Sequence, residues 1–535
     1  MIDFIHRVKR RMQRELALQT NRMRVKKLSE AAGVSMDADK NAPVVIFNAS
    51  TRLSGLSQNA GFSLLTSLAL RAEGVPVIQF ICDRAQKPCV LGTNRDDPTA
   101  DPPCAECVRT SRYLFTGSEM QWYQAGSYPQ IDEQINELNL QDLVAYSYHN
   151  VHLGKMILPS LRWILRRHHL IDDANTQTLA RSYIRSAWHV YLTFSKLLET
   201  RKPQAVVVFN GMFYPEAMAR LAAREQGIPC YSHEVGMLPY SAFFTEKEAT
   251  AYPVKVDEDF VLDADQNEKL DRTLKNRFQG RFQTAGVTFW PEMKRLDAEI
   301  SEKIASHQAM VPIFTNVIFD TSQAHANTIF DHMFEWLDLV VPKMKKNPET
   351  LFIIRAHPDE VRPGKESRES VLQWFSHKKL SELSNLLFIR ADETISSYDL
   401  IREAKFVMVY NSTVGLEASI MGKPVLCAGR ARYTQIPTVF FPDSRRAYEI
   451  RLDTFLSQSE ISQPISFVKN ARRVLYSQLF RASIPFNQYM EEDEVWKGYV
   501  KLKKFDLERL RSDQSDVMHV ITRGILKGTP FIRNI

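Results

Sequence analysis

Two short motifs in the second half of the chain carry residue types that bind phosphate. In the first, a hydrophobic strand ends at Tyr410 in the polar run Asn411-Ser412-Thr413, and a helix follows at once. Ser412 or Thr413 would cap that helix, leaving first-turn N–H groups and the helix dipole to attract an anion. Gly415 would let a ligand approach the backbone, and Glu417 would accept a ribose hydroxyl. The alternative is a capped helix without a ligand.

The second motif runs from Arg355 to Glu360 and contains the dipeptide His357-Pro358. Pro358 favours an extended conformation at His357 and prevents the strand from continuing smoothly. The imidazole is then left at the carboxyl end of a strand, where open α/β sheets bind their ligands. A structural histidine is the competing interpretation.

Candidate bases and a candidate acceptor loop lie in the first half. Glu234 is the preferred general base, followed by His233 and Glu216, because carboxylate and imidazole groups accept a proton from a hydroxyl. Asp320, in the second half, competes with them. The polar turn 50–61 precedes a helix, but it fits neither a P-loop nor a G-x-G-x-x-G fingerprint. The residues predicted for acceptor or phosphate binding are Gly55, Gln58, Asn59, Gly61 and, in an Asn-Gly turn, Asn210.

Four of the six cysteines lie close together, with the spacing Cys-x6-Cys-x14-Cys-x2-Cys. One close pair and one wider pair are compatible with a structural, tetrahedral zinc site, and four free thiols are the alternative. The four cysteines are Cys82, Cys89, Cys104 and Cys107.

The elements that must position these residues alternate between strands and helices. Hydrophobic runs such as 205–209 and 350–355 predict buried strands, and helical patterns separate them. The alternation occurs twice and predicts an α/β protein with two Rossmann-like, doubly wound domains facing a cleft. We predict a basic helix at 1–40, a first domain at 41–300 with a helical insertion at about 125–200, a second domain at 301–465, and C-terminal helices at 466–535 that could cross back to the first domain.

Composition narrows the class of protein. The 535 residues carry a formal charge of +7, too small for this size to indicate nucleic-acid binding. No apolar run is long enough to span a bilayer, which predicts a cytoplasmic location. The first 30 residues are strongly basic, with Ile5, Val8, Met12 and Leu16 at helical spacing. This pattern predicts either a helix resting on the inner, anionic face of the membrane or a solvated arm.

Together, the His-Pro motif, the Ser-Thr motif and the later run Gly422-Lys-Pro-Val resemble the capsule-polysaccharide glycosyltransferases, including Kdo transferases and, more distantly, polysialyltransferases and teichoic-acid polymerases. The resemblance covers about residues 311–433 and implies a GT-B fold in which His357, Ser412 and Thr413 contact a cytidine nucleotide donor. Those enzymes tend to carry Gln-x-x-x-Asp where this chain has Asn316 to Asp320, so the donor base stays open. The predicted donor-binding residues are Asn316, Arg355, His357, Pro358, Glu360, Asn411, Ser412, Thr413, Gly415 and Glu417.

The predicted activity is transfer of a sugar from a nucleotide-sugar donor to a surface-polysaccharide or lipid-linked glycan. No cofactor is expected to be required, because the Asp-x-Asp pairs at 37/39 and 263/265 lie in charged, weakly periodic stretches that favour solvated surface over a metal site. Two alternatives remain open: phosphotransfer from a CDP-alditol, and a non-catalytic assembly protein that keeps the fold and the phosphate site.

Overall fold

The computed structural model describes residues 2–33, 42–48, 55–97, 100–281, 293–493 and 498–535. The predicted Asp37/Asp39 pair lies outside these ranges. Within them the strands are β1 Val44–Asn48, β2 Leu56–Ser57, β3 Val77–Cys82, β4 Glu119–Tyr123, β5 Ala205–Phe209, β6 Cys230–Val235, β7 Ser241–Thr245, β8 Ala309–Phe314, β9 Thr350–Arg355, β10 Leu386–Ile389, β11 Val407–Val409, β12 Val425–Cys427, β13 Ile484–Pro485, β14 Met490–Glu492 and β15 Tyr499–Leu502.

The α-helices pack on both faces of the sheets and at the chain ends. They are α1 Ile2–Ala31, α2 Gln58–Ala72, α3 Cys104–Leu114, α4 Pro129–Ile135, α5 Leu140–Ala145, α6 Leu153–Leu165, α7 Ala174–Arg201, α8 Tyr214–Glu225, α9 Ala264–Phe278, α10 Ala298–Ala305, α11 Gln323–Ala326, α12 Met333–Lys346, α13 Val371–His377, α14 Ser397–Glu403, α15 Val414–Ile420, α16 Arg445–Ser457, α17 Ile465–Tyr476 and α18 Asp516–Lys527.

The first domain is built on a seven-stranded sheet in the order β13-β7-β6-β5-β1-β3-β4. Its five strands β1, β3, β4, β5 and β6 are parallel and, numbered along the chain, lie in the order 3-2-1-4-5. Strands β7 and β13 extend this sheet in the antiparallel sense. The run Ala205-Val-Val-Val is fully buried, as expected for a strand covered by helices on both faces.

The second domain repeats the same topology in a five-stranded sheet, β10-β9-β8-β11-β12, with every pair parallel. Its strands also lie in the order 3-2-1-4-5, which is that of a Rossmann half-domain. The order reverses between β8 and β11, and a crevice forms there at the carboxyl ends of the strands. The prediction of an α/β protein with two doubly wound, Rossmann-like domains is confirmed.

Two further segments complete the first domain. Helices α4 to α7 occupy the region between β4 and β5. After α17 the chain returns to the first domain, where β13 pairs with β7, and β14, β15 and β2 form a small antiparallel sheet. Val517 and Ile521 of α18 share a buried core with Leu64 and Leu68 of α2.

Helix α1 is amphipathic in an unusual way, because it has apolar side chains on two faces. One face, with Leu18, Val25 and Leu28, is buried against the first domain. The other carries Val8, Met12, Leu16 and Met23, which are 41–65% exposed. Among the described residues, no helix combines the length and the apolar character needed to cross a bilayer.

Candidate functional site

A cavity of about 1090 Å³ lies between the two domains. It opens at the carboxyl ends of β8, β9 and β11, where the second sheet reverses its strand order. Eight of the predicted donor-binding residues line it, together with the predicted base Asp320. The eight are Asn316, Arg355, His357, Pro358, Asn411, Ser412, Thr413 and Glu417.

Asn316 and Asn411 join the two loops at the reversal point. Asn316 follows β8 and its side-chain oxygen accepts a hydrogen bond from the Asn411 backbone N–H at 3.4 Å. The Asn411 oxygen in turn accepts one from Gln323 at 3.2 Å. These contacts hold the loop after β8 against the Ser-Thr loop, which lies 95 residues later in the sequence.

His357 presents a neutral imidazole to the cavity. It is the N-cap of the 3-10 turn Pro358–Val361, and its Nδ1 accepts the Asp359 backbone N–H at 3.1 Å. Burial lowers the pKa of His357, and the negative charges of Asp359 and Asp320 offset only part of this shift. Because Nδ1 is an acceptor, the ring proton resides on Nε2, which is a hydrogen-bond donor suited to a phosphate oxygen.

Ser412 and Thr413 lie at the start of α15, but neither side chain caps it, contrary to the prediction. The reason is that the first turn tightens, so that Gly415 N–H bonds to Ser412 O and Leu416 N–H bonds to Thr413 O. Both hydroxyls therefore stay available at the cavity wall. No hydrogen bond of the described chain engages the backbone N–H groups of Ser412 and Thr413 either.

Gly415 has a packing role rather than the predicted ligand-approach role. A Cβ at this position would lie 2.5 Å from the Tyr433 hydroxyl and 2.9 Å from a Val409 methyl group. The glycine thus lets α15 pack closely on β11, while the Tyr433 hydroxyl donates to Ser412 O at 2.7 Å. Gly415 is buried and does not line the cavity.

Glu417 is committed to a buried ion pair, which differs from the predicted ribose contact. Its side chain is 4% exposed, and Arg277 of α9, 7% exposed, contacts one carboxylate oxygen at 2.6 Å. Tyr398 donates to the other oxygen at 2.7 Å. Burial would lower the pKa of Arg277, but the Glu417 charge outweighs it, and the net pKa is raised. The pair joins α9 to the second domain in the wall of the cavity.

Arg355 and Glu360 both make hydrogen bonds within the second domain. The Arg355 guanidinium donates to the carbonyls of Arg390 and Glu393, at 3.2 and 2.8 Å, and burial lowers its pKa to about 10. Glu360 is 3% exposed, and its carboxylate accepts the N–H of Val371 at the start of α13. Burial raises the pKa of Glu360 to about 8. Glu360 is therefore absent from the cavity wall, because its side chain turns into the domain.

The preferred base, Glu234, does not line the cavity. Its carboxylate accepts hydrogen bonds from Asn59 at 2.8 Å, from Asn210 at 3.0 Å and from the Val235 N–H at 2.9 Å. These bonds tie the end of β6 to the first turn of α2 and to the turn after β5. Asn210 adopts a positive φ of 61° and is 3% exposed, so the predicted Asn-Gly turn serves this network.

His233 and Glu216 are buried, at 2% and 1% exposure, and neither lines the cavity. The His233 ring packs between Phe209 and Phe244, and burial lowers its pKa to about 3. Alternation along β6 explains this orientation, since neighbouring side chains point to opposite faces. The competing base, Asp320, is the exposed carboxylate at the cavity, with one oxygen accepting the Ser322 N–H at 2.8 Å.

The predicted acceptor loop packs against the C-terminal segment. Gly55 has a positive φ of 71° and precedes β2, which pairs with β15. A Cβ at Gly61 would meet Met490 at 3.0 Å. Gln58 begins α2, and neither it nor the other described residues of this loop reach the cavity wall. Residues 50–54 of the turn lie outside the described ranges.

Several cavity residues escaped the sequence analysis. Thr250 and His325 meet across the two domains at 3.1 Å, and Arg432 lies over the Tyr252 ring at 4.2 Å. Arg430 adds a second, exposed cation. They come from the segments after β7 and β12 and from the short helix α11, where hydrophobic periodicity gives no signal.

The four cysteines predicted as a structural zinc site are all described in the structure and form no disulfide. No group of three or more His, Cys, Asp or Glu side chains in the described ranges has the arrangement to hold a metal ion. The Sγ of Cys82 accepts the Ala85 N–H and the Sγ of Cys89 accepts the Gly92 N–H, so these sulfurs take part in local turns. Burial raises the pKa of the Cys82 and Cys104 thiols.

Comparison with known proteins gives a family match over the segment that carries the His-Pro and Ser-Thr motifs. Residues 288–437 match the family described as capsule polysaccharide biosynthesis protein, and this segment contains the whole cavity wall contributed by β8, β9 and β11. The match confirms the predicted resemblance to that family over this segment of the chain. Protein FixF of Sinorhizobium fredii is 27% identical over 237 residues, which are 43% of this chain. The match spans about half, 49%, of the length of FixF.

Solved structures with similar folds include two Kdo transferases. The KpsC β-Kdo 2,4-transferase of Thermosulfurimonas dismutans is 16% identical, with 51% of this chain and 87% of that chain covered and a TM-score of 0.33. The β-Kdo 2,7-transferase of the same protein is 14% identical, with 58% and 85% covered and a TM-score of 0.31. The UDP-GlcNAc 2-epimerase of Neisseria meningitidis is 13% identical, with 82% and 99% covered and a TM-score of 0.22.

Proposed function

We propose that the protein transfers a sugar from a nucleotide-sugar donor to a glycan or lipid-linked acceptor of surface-polysaccharide synthesis, without a divalent cation. One observation carries the proposal. Three loops of the second domain bring His357, the Ser412–Thr413 pair and Asp320 to one interdomain cavity, at the point where the strand order reverses. Open α/β sheets bind nucleotides at such a point.

The donor phosphate would bind among His357, Ser412 and Thr413. The Nε2–H of His357, two hydroxyls and the backbone N–H groups of Ser412 and Thr413 supply hydrogen bonds to the phosphate oxygens. Arg430 and Arg432 line the same cavity and supply positive charge. Fixed donors and cations of this kind stabilise the charge that develops on the leaving nucleotide, which is the task a metal ion performs elsewhere.

Asp320 is the proposed base. Its carboxylate faces the cavity from the loop after β8, and one of its oxygens has no hydrogen-bond partner in the described structure. In the proposed reaction Asp320 takes the proton of the acceptor hydroxyl, the oxygen forms the new bond to the anomeric carbon, and the bond to the nucleotide phosphate breaks. Glu234 is less suited, because three donors occupy its carboxylate outside the cavity.

Helix α1 would place the enzyme at an anionic membrane, where a lipid-linked acceptor resides. The exposed stripe of Val8, Met12 and Leu16 lies on the side of α1 away from Leu18, and residues 8–16 are all exposed. Lys9, Arg10, Arg11 and Arg14 surround the stripe. An apolar stripe among cations is the pattern of a helix lying in the interface of anionic lipids.

Nucleotide binding tests the proposal. We expect cytidine or uridine nucleotides to raise the Tm of the wild-type protein, because a ligand stabilises the state to which it binds. His357→Ala should weaken that binding, whereas the matched control His377→Ala, an exposed histidine outside the cavity, should not. No response of the wild-type protein to any nucleotide would refute the donor site.

Product analysis then identifies the reaction. Purified protein would be incubated separately with a CMP-sugar, a UDP-sugar and CDP-glycerol, together with membrane extracts as acceptor. Transfer of sugar from one of the first two supports the proposal. Transfer of glycerol phosphate would instead identify a CDP-alditol phosphotransferase, and tight nucleotide binding without any transfer would favour a non-catalytic assembly protein.

A further inference from the structure

Three imidazoles lie together where the loop after α6 meets the second domain. His168 and His169 belong to this loop of the first domain, and His332 precedes α12 of the second. The ring centres of His169 and His332 are 4.5 Å apart, and those of the other two pairs are 5.0 Å apart. None of the three side chains lines the interdomain cavity, so the cluster is separate from the candidate donor site.

Glu369 of the second domain binds the same loop. One of its carboxylate oxygens accepts the backbone N–H groups of His168 and His169, at 2.8 and 3.0 Å. The other oxygen contacts Nδ1 of the His169 ring. Burial would raise the pKa of Glu369, but the hydrogen bonds from His169 outweigh it, and the net pKa is lowered. Glu369 is therefore a charged acceptor that holds the two domains together at this point.

Hydrogen bonds fix the tautomers of His169 and His332. Nδ1 of His332 accepts the Glu335 N–H at 3.1 Å as the N-cap of α12, so the ring proton resides on Nε2. A carboxylate oxygen accepts a proton from His169 Nδ1, which leaves His169 Nε2 as an acceptor. The Nε2–H of His332 then donates to His169 Nε2 at 3.2 Å, across the two domains. This chain of hydrogen bonds is complete only while both imidazoles are neutral.

An added proton would break the chain at one of two places. A protonated His169 would carry an N–H on Nε2 that faces the N–H of His332. A protonated His332 would carry an N–H on Nδ1 that faces the backbone N–H of Glu335. In both cases two donors face each other, so either the interdomain bond or the cap of α12 is lost.

His168 is the most buried of the three, with 7% exposure. Burial and the positive charge of Arg162 in α6 lower the pKa of His168 to about 3, and the other two imidazoles add to this shift. The Glu369 charge opposes the shift without cancelling it. A proton on His168 is therefore disfavoured as long as the domains stay in contact.

His332 is half-buried and has more carboxylates around it. Burial and His169 lower its pKa, while Glu335, Glu369 and Asp331 oppose the change. Glu335 is itself paired with Arg445 of α16, which offsets its charge. The net effect is again that the contact between the domains excludes the proton.

We infer that His168, His169 and His332 form a pH-sensitive latch, which holds the two domains together at neutral pH and releases them when the imidazoles are protonated. The inference goes beyond the proposed function, because it concerns the arrangement of the domains and not the ligand. Both domains contribute to the wall of the cavity, so release of the latch would open it.

The sign of the pH dependence follows from linkage. Separated imidazoles titrate near pH 6.5, whereas those in the latch bind a proton only at lower pH. The closed arrangement is therefore favoured above about pH 6.5 and is lost as the pH falls. For each imidazole that stays unprotonated in the latch, the ratio of open to closed protein should rise roughly tenfold between pH 7.5 and pH 5.5.

Hydrogen exchange of the ligand-free, full-length protein tests the latch. The N–H groups of His168 and His169 bond to Glu369 across the domains, so their protection, corrected for the intrinsic exchange rate at each pH, reports whether the contact is made. We expect this protection to fall at least tenfold in the wild-type protein between pH 7.5 and pH 5.5. Small-angle X-ray scattering of the same samples should show a larger radius of gyration at pH 5.5.

Variants without the titrating rings should lose this response. His332→Asn keeps a side-chain oxygen that can cap α12, and His168→Gln keeps a polar side chain without an imidazole. Each single variant should show a smaller fall in protection than the wild type, and the double variant should show threefold or less. His377→Asn, in an exposed histidine of α13, is the matched control and should retain the wild-type fall.

Three results would overturn the inference. The first is equal protection of the two N–H groups at both pH values in the wild-type protein. The second is a fall in both single variants as large as that of the wild type. The third is a loss of protection at pH 5.5 with an unchanged radius of gyration, which would show that only the loop moves and that the domains stay together.

Discussion

Removal of the Glu417 charge distinguishes a structural carboxylate from a ribose ligand. In Glu417→Gln the side chain keeps its shape, but Arg277 becomes a buried cation without a counter-charge. Breaking a buried ion pair from one side costs about 3–5 kcal/mol. Because both side chains are at most 7% exposed and three polar contacts of 2.6–2.8 Å converge on the carboxylate, we expect a loss within that range.

Thermal unfolding and nucleotide titration together form the assay. For a domain of roughly 150–250 residues, 1 kcal/mol corresponds to roughly 2–4 °C, so the transition of the second domain should fall by roughly 6–20 °C. The double variant Arg277→Met, Glu417→Gln should recover most of this loss, since it removes the unpaired cation as well. Asp392→Asn, which breaks the exposed pair with Arg390, is the matched control and should cost at most about 1 kcal/mol.

Two results would refute the structural explanation of Glu417. If Glu417→Gln unfolds at the wild-type temperature but binds nucleotide much more weakly, Glu417 contacts the ligand and the Arg277 pair contributes little. Equal stability of the single and double variants at a lowered temperature would also contradict the explanation, because it would show that the unpaired cation is not the cause of the loss.

Four other predictions follow from the site and the fold. His357→Ala should weaken nucleotide binding by roughly tenfold, about 1.4 kcal/mol for one hydrogen bond to a charged group, as measured by calorimetry against His377→Ala. Asp320→Asn should abolish sugar transfer while leaving nucleotide affinity within about twofold of the wild-type value. A variant that still transfers sugar slowly, with the wild-type pH dependence of the rate, would exclude Asp320 as the base. Burial lowers the pKa of the His233 imidazole to about 3 in the folded protein, whereas in the unfolded chain it is about 6.5. Below about pH 6.5 the unfolded chain therefore binds a proton that the folded protein does not, and the free energy of unfolding decreases as the pH falls. At pH 4.5 the same linkage removes about 2.7 kcal/mol from the free energy of unfolding of the wild-type protein. His233→Gln has no imidazole to titrate, so its free energy of unfolding in urea should fall by about 2.7 kcal/mol less than that of the wild type between pH 7 and pH 4.5. Equal falls in the two proteins would contradict the prediction. The wild-type protein should co-sediment with vesicles rich in phosphatidylglycerol, whereas Met12→Glu should not, and neither protein should co-sediment with phosphatidylcholine vesicles. If the exposed stripe of α1 instead mediates self-association, the wild-type protein would appear as a dimer in sedimentation velocity.

The sequence alone determined the architecture and one wall of the site. The runs 205–209 and 351–354 are hydrophobic throughout, which is the composition of a strand covered on both faces. The polar residues that follow such strands, His357 and Ser412 among them, converge because the carboxyl ends of parallel strands share one edge of a sheet. The order of residues along the chain was sufficient to place these side chains at one edge of the sheet, and the cavity lies at that edge.

Only the tertiary structure decided which of these polar groups are engaged by other parts of the protein. Glu417 and Glu360 follow the same motifs as His357, yet Arg277 pairs with the Glu417 carboxylate in the cavity wall, and the Val371 N–H holds the Glu360 carboxylate inside the domain. The Glu234 carboxylate is likewise occupied by the side chains of Asn59 in α2 and Asn210 in the turn after β5. A sequence motif fixes the backbone position of a side chain, but the partners that bury or pair its charge come from the packing of the whole domain, and those partners decide whether the charge is left for a ligand.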